Sequence, residues 1–218
     1  MQYLNRFVLL TLNFITVTFS VVANSSEVLQ VLDKNLNPVK DAVVSIPSSA
    51  AVVDPLPVAV MDQVNRQFSP KVLVIKKGQK VTFPNSDEIR HHVYSFSTIK
   101  QFEIRLYKGV SDSPIQFDKS GIGVLGCNIH DNMVGYIYVA ENEVAKVSDE
   151  QGKVTFDSPL PATVTLWHSD LTSSSSERQR FSVKQKNGNY QVVLDIVIGS
   201  EELQKRTFGS RTFGNRDQ

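Results

Sequence analysis

One short segment of the chain gathers three side chains that bind soft metal ions. Cys127, His130 and Met133 follow one another at intervals of three residues and offer a thiolate, an imidazole and a thioether. A tight loop between two strands can direct all three side chains at one ion. With a second imidazole, this set gives the His₂Cys site with a weak axial methionine that is typical of blue copper. The spacing therefore predicts a mononuclear copper site.

Cys127 is the single cysteine of the 218 residues. A lone cysteine cannot form an internal disulfide, and it cannot build a four-cysteine zinc site. A free thiol outside the cytosol is a mark of reactivity or of metal binding. The cysteine count therefore agrees with a role for Cys127 as a metal ligand.

The second imidazole has three sources in this sequence, His91, His92 and His168. His91 and His92 are adjacent in a predicted strand, so their side chains point to opposite faces and only one can face the cysteine loop. The residues by themselves leave the choice open.

The elements around these residues are predicted to be short strands. Apolar residues alternate at period two, as in 68–74 and 135–140, and turn residues separate the runs. We find no segment with a sustained apolar pattern at helical spacing. The predicted fold class is all-β, with short strands arranged in a sandwich or barrel.

Residues 58–140 resemble a known family of copper proteins. The strand Val81-Thr-Phe-Pro-Asn85 followed by His91-His-Val93, and the glycine at 121 that leads to Cys127, are similar to the plastocyanin and amicyanin family of cupredoxins. The ligand loop looks like the shortest version, that of amicyanin. The resemblance implies a Greek-key β-sandwich.

The same resemblance implies a role for each residue of the site. His91, Cys127, His130 and Met133 would hold one copper ion that cycles between Cu(I) and Cu(II). Asn85 looks like the asparagine that forms hydrogen bonds beside the site. His92 stands where the family has an asparagine, and it would either donate a hydrogen bond or compete with His91 for the metal.

His130 would be the exit for the electron, because the corresponding imidazole reaches the surface through an apolar patch in the family that it resembles. The expected partner is a redox protein that the sequence does not identify.

The flanking residues 24–50 and 144–198 resemble the two parts of a carboxypeptidase-regulatory or transthyretin-like sandwich. We expect the cupredoxin to be inserted in a loop of that second sandwich; the alternative is that two hairpins extend the cupredoxin sheets. The whole order is similar to secreted proteins called methylamine utilisation proteins. Trp167 is expected to pack in the interior with His168 at the surface, the alternative being a contact with a partner or a second metal.

The two ends of the chain are predicted to lie outside the folded part. Residues 1–23 read as a signal peptide, with Arg6 before an apolar run, and residues 199–218 as a flexible tail. Removal of Arg6 leaves 22 basic and 22 acidic side chains, because the whole chain has 23 and 22. We therefore expect a periplasmic or secreted protein that binds no nucleic acid and, after cleavage, no membrane.

The function predicted from these residues is transport of single electrons. The alternatives are a protein that traffics or senses copper, and a structural β-sandwich that acts as a binding module. We expect no enzyme activity, because three strong ligands and an axial methionine leave no open position for a substrate.

Overall fold

A computed structural model of the protein describes residues 26–50, 55–110, 113–171 and 176–197. These residues form strands, turns and loops without a helix. No helix among them is therefore long and apolar enough to cross a membrane. The predicted signal peptide, the predicted tail and most of the polar loop before Ser176 lie outside the described residues.

The strands follow one another at short intervals along the chain. In chain order they are β1 (Glu27–Leu32), β2 (Val43–Pro47), β3 (Ala59–Val60), β4 (Asp62–Val64), β5 (Gln67–Ser69), β6 (Val72–Lys76), β7 (Lys80–Thr82), β8 (His91–Ser95), β9 (Phe102–Tyr107), β10 (Ile115–Gln116), β11 (Gly121–Gly126), β12 (Val134–Ala140), β13 (Glu143–Val147), β14 (Lys153–Phe156), β15 (Thr163–Trp167), β16 (Gln179–Ser182), β17 (Lys184–Lys186) and β18 (Asn189–Val193).

Strands β3 to β12 form two facing sheets and a small hairpin. One sheet has five strands in the order β6-β12-β11-β8-β9, the other has the order β10-β7-β3, and β4 pairs with β5. The pairs β6–β12 and β3–β7 are parallel, and the other pairs are antiparallel. A buried cluster that includes Phe83, Phe117, Leu125 and Ile137 fills the interior.

Strand β12 shows how the alternation of side chains builds this arrangement. Ile137 and Val139 belong to the interior cluster, whereas Tyr136 and Tyr138 belong to a different buried cluster on the outer face of the sheet. Successive side chains of a strand point to opposite faces, so one apolar strand serves two cores.

The remaining strands form a second pair of sheets from both ends of the chain. Their orders are β14-β1-β18-β17 and β13-β2-β15-β16, and among the described strands none of these eight pairs with β3 to β12. Strand β2 pairs with β13, with Pro47 opposite Glu143, so residues 48–142 leave and re-enter this part of the structure at neighbouring positions. On this pairing we propose that residues 58–140 are inserted into the second sandwich.

Trp167 joins the two pairs of sheets. Its ring centroid lies 5.0 Å from that of Tyr136, and the two rings pack in a cluster with Val43, Val72 and Ile122. Trp167 is fully buried, as expected, but the expected surface position of His168 is wrong, since it is 5% exposed. Burial, which disfavours the imidazolium, lowers the pKa of His168.

Replacement of Trp167 by alanine should destabilise the protein by about 3–5 kcal/mol, because it leaves a cavity between the two pairs of sheets. Denaturant unfolding of the Trp167→Ala variant measures this loss. Phe96→Ala is the matched control, because Phe96 is 79% exposed and its removal opens no cavity. Equal losses in the two variants would contradict the role of Trp167.

Candidate metal centre

A seven-residue loop between β11 and β12 carries three of the predicted site residues. Its two ends are held together by the Cys127 N–H, which donates to the Met133 carbonyl at 3.2 Å. The Met133 N–H donates in turn to the His130 carbonyl at 3.0 Å. The first bond continues the β11–β12 ladder, in which Gly126 lies opposite Val134, and places Cys127 and Met133 side by side, whereas the second closes a turn within the loop.

Gly126, the residue before Cys127, makes room for the ring of Tyr94 on β8. A Cβ at this position would lie 2.7 Å from the ring of Tyr94 on β8. Gly126 is also the residue that pairs with Tyr94 between the two strands. The absence of a side chain at 126 therefore lets the ring of Tyr94 lie over β11 directly before Cys127.

The structure brings His91, Cys127 and His130 together. One ligand atom from each residue lies within 4.8 Å of the other two. The Cys127 Sγ is 3.7 Å from the His130 Nδ1, and the ring centroids of His91 and His130 are 4.9 Å apart. His91 and Cys127 are buried, while His130 is partly exposed. Met133 is 1% exposed and belongs to the same buried cluster as Cys127.

His91 has one ring nitrogen in a hydrogen bond and one without a partner. The Nε2 lies 2.7 Å from the Asp87 Oδ2, a distance that fits an N–H donating to the carboxylate. The Nδ1 is buried and has no hydrogen-bond partner. A buried polar atom without a partner is costly, and a metal ion would satisfy this lone pair. The donor set, a thiol and two imidazoles, therefore fits copper.

His92 lies on the opposite face of β8. Its Nε2 is 2.8 Å from the Glu103 Oε1, and its ring packs against Tyr94 with centroids 5.6 Å apart. Neither His92 nor His168 belongs to the group of three. Of the histidines that the sequence offers as a second ligand, the structure places His91 beside Cys127. That a copper ion binds to these residues remains a prediction.

Asn85 holds the loop that leads to His91. Its Nδ2 donates to the carbonyls of Ile89 at 2.9 Å and Tyr107 at 2.8 Å, and its Oδ1 accepts from the Asp87 N–H at 3.0 Å. The side chain therefore ties the loop to itself and to the end of β9. This position fits the hydrogen-bonding role expected of Asn85.

Two further polar side chains close to the site were not found from the sequence, Asp87 and Tyr107. The Tyr107 hydroxyl donates to the Phe83 carbonyl and accepts from the Gln63 amide inside the core. Burial raises the pKa of Tyr107 to about 12, so the hydroxyl stays neutral. The alternating residues of β9 predict a strand that ends at Tyr107, but they do not indicate which groups the Tyr107 hydroxyl contacts.

Comparison with known proteins gave matches in structure only. No protein-family model and no curated protein matches the chain. A copper-containing nitrite reductase (NirK) from Thermus scotoductus SA-01 is 27% identical over 51% of this chain and 28% of its own, with a TM-score of 0.37. A purple cupredoxin from Nitrosopumilus maritimus is 22% identical over 38% and 98%, with a TM-score of 0.34. A reduced amicyanin mutant is 20% identical over 44% and 98%, with a TM-score of 0.35.

The chain therefore spans 28% of the nitrite reductase that it matches and nearly all of the two small proteins. The purple cupredoxin and amicyanin belong to the family that the sequence resembles. By the order of its strands and the position of its three-ligand group, the segment from β3 to β12 is an all-β, cupredoxin-like sandwich, the fold class that the sequence predicts.

Proposed function

We propose that this chain binds one copper ion, which His91, Cys127, His130 and Met133 would hold, and carries single electrons between redox proteins. The observation that carries the proposal is the buried thiol with two imidazoles within 4.8 Å, one of which has an unpaired Nδ1. When bound, copper supplies a one-electron couple between Cu(II) and Cu(I).

The surroundings of the three side chains support electron transfer rather than binding of a substrate. Cys127 and Met133 belong to an apolar cluster, which excludes water from the thiol. The strands fix Cys127 and His91, and the closed loop fixes His130, so little rearrangement is needed between the two oxidation states. The similarity to nitrite reductase is no evidence that this chain is an enzyme, because the match covers 28% of the nitrite reductase chain.

His130 is the proposed contact for the partner. It is partly exposed, and each of the two loops that carry the site also exposes one isoleucine, Ile89 at 40% and Ile129 at 48%. Apolar side chains around an exposed imidazole suit a short-lived contact with another protein. The partner is an unidentified redox protein, and the proposed location is the periplasm or the cell exterior.

Copper loading tests the metal and its ligand. The protein without residues 1–23, loaded with Cu(II), should show an intense charge-transfer band at about 600 nm, as expected for a copper–thiolate bond. Cys127→Ser should abolish the band, whereas Met133→Leu should keep it because the thiolate remains. A wild-type protein that binds Cu(II) without the band would contradict the proposal. Slow, irreversible voltammetry with tight retention of Cu(I) would indicate copper trafficking instead.

The adjacent histidines provide a matched pair of variants. His91→Ala should lose the band and most of the copper affinity, because His91 belongs to the group of three. His92→Ala should keep both, since its ring lies on the other face of β8 with Glu103. Spectra and competition with a chelator measure the difference. The reverse result would assign the metal to His92.

Electron self-exchange between two copies of the copper protein tests the proposed contact surface. Ile129→Lys should slow self-exchange about tenfold, because two like charges would meet beside His130. Val28→Lys, at a side chain that is 44% exposed on β1, is the control and should have no effect. NMR line broadening in mixtures of Cu(I) and Cu(II) protein gives the rates. Equal rates in both variants would exclude this surface.

A further inference from the structure

We propose that Asp87 is a positioning residue that holds His91 ready for the metal. The inference deepens the proposed copper function and rests on it. Asp87 contributes no ligand atom to the group of three, and it lies in the loop before β8. Its carboxylate accepts a hydrogen bond from the His91 Nε2 at 2.7 Å.

Two backbone N–H groups hold the carboxylate in place. The Asn65 N–H donates to the Oδ1 at 2.6 Å, and the Arg66 N–H donates to the Oδ2 at 2.8 Å. Asn65 and Arg66 form the turn between β4 and β5, where both have positive φ angles of 54° and 61°. This turn resembles a type I′ hairpin turn, in which both central residues require positive φ. The hairpin therefore holds the carboxylate, and the carboxylate holds the imidazole.

The Asp87 carboxylate therefore accepts three hydrogen bonds, from the Asn65 N–H, the Arg66 N–H and the His91 Nε2. Hydrogen bonds to a carboxylate are stronger than those between neutral groups, so this network holds the side chain firmly.

The consequence for His91 is a fixed tautomer. With the proton on Nε2, the lone pair is on Nδ1, which is the buried atom without a partner. A carboxylate that accepts from a metal-binding histidine fixes the tautomer and the orientation of the ring. The Asp87 carboxylate thus orients the His91 ring and leaves the lone pair on Nδ1 before a metal arrives.

The neighbouring pair His92–Glu103 shows what distinguishes Asp87. Its distance is nearly the same, 2.8 Å, but the Glu103 side chain is 59% exposed, whereas that of Asp87 is 14% exposed. Water therefore screens the Glu103 charge much more than the Asp87 charge. Each face of β8 thus has a histidine–carboxylate pair. Only His91–Asp87, the pair whose carboxylate is shielded from water, includes a proposed metal ligand.

The variant Asp87→Asn tests the proposal. Asparagine keeps the size of the side chain. Its amide NH₂ group is a donor, however, and would face one of the three N–H donors of Asn65, Arg66 and His91. Copper affinity should fall about 10- to 100-fold. Cu(II), which carries the higher charge, should lose more affinity than Cu(I). A tenfold larger loss for Cu(II) raises the reduction potential by about 59 mV.

Asp62→Asn is the matched control. Asp62 also links β4 to the same loop, because its carboxylate accepts from the Ser86 hydroxyl at 2.7 Å and from the Gln63 N–H at 2.6 Å, but it has no bond to His91. This variant should keep the wild-type affinity and potential. Equal changes in the two variants, or no change in either, would overturn the proposal. Asp87→Glu, which restores a carboxylate, should recover part of the affinity.

A direct measurement covers the case in which Asp87→Asn does not fold. Nitrogen NMR of the ¹⁵N-labelled wild-type apoprotein should show His91 protonated at Nε2 and bare at Nδ1. The opposite tautomer would overturn the role of Asp87. The proposed function fails on different grounds, namely a wild-type protein without the charge-transfer band, so the two failures are distinguishable.

Discussion

The closure of the loop between β11 and β12 is the constraint on which the site depends. The bond from the Cys127 N–H to the Met133 carbonyl continues a ladder of six residue pairs, so the loop begins and ends at one end of the two strands. A seven-residue loop closed in this way cannot spread its side chains apart. It holds the Cys127 thiol and the His130 imidazole together and buries Met133 in the same cluster as Cys127, and the neighbouring β8 adds His91 to the group.

The two faces of the five-stranded sheet pack in two different buried clusters. The inner face carries His91 and Cys127 in an apolar core, and the outer face carries Tyr136 and Tyr138 under the second sandwich. Because β12 is buried on both faces, it cannot shift along its neighbours without breaking two cores at once. A register fixed in this way also fixes Met133, which directly precedes the strand. The packing of the second pair of sheets on β12 therefore also constrains the position of Met133.

Alternation in the sequence predicted the all-β class, most strands and the separation of His91 from His92, because a period of two depends on local residues alone. The contacts of Asp87 could not be predicted in this way. They join two loops about twenty residues apart, and they depend on a turn at Asn65 and Arg66 whose residues are not glycine. The burial of His168 was missed for the same reason, since its cover comes from the packing of one pair of sheets on another.

The hydrogen bonds around the site leave a particular set of atoms for a metal. The Asn85 amide, the Tyr107 hydroxyl and the His91 Nε2 all have partners within the protein. Among the described residues, three buried side-chain atoms have none, the Gln63 Oε1, the His91 Nδ1 and the His92 Nδ1, and of these three residues only His91 belongs to the group with Cys127. The hydrogen bonds of the protein thus satisfy most polar atoms around the group and leave one imidazole nitrogen of His91 unpaired. An unpaired imidazole nitrogen on a residue grouped with a buried thiol is what the proposed ion, which prefers nitrogen and sulfur, requires.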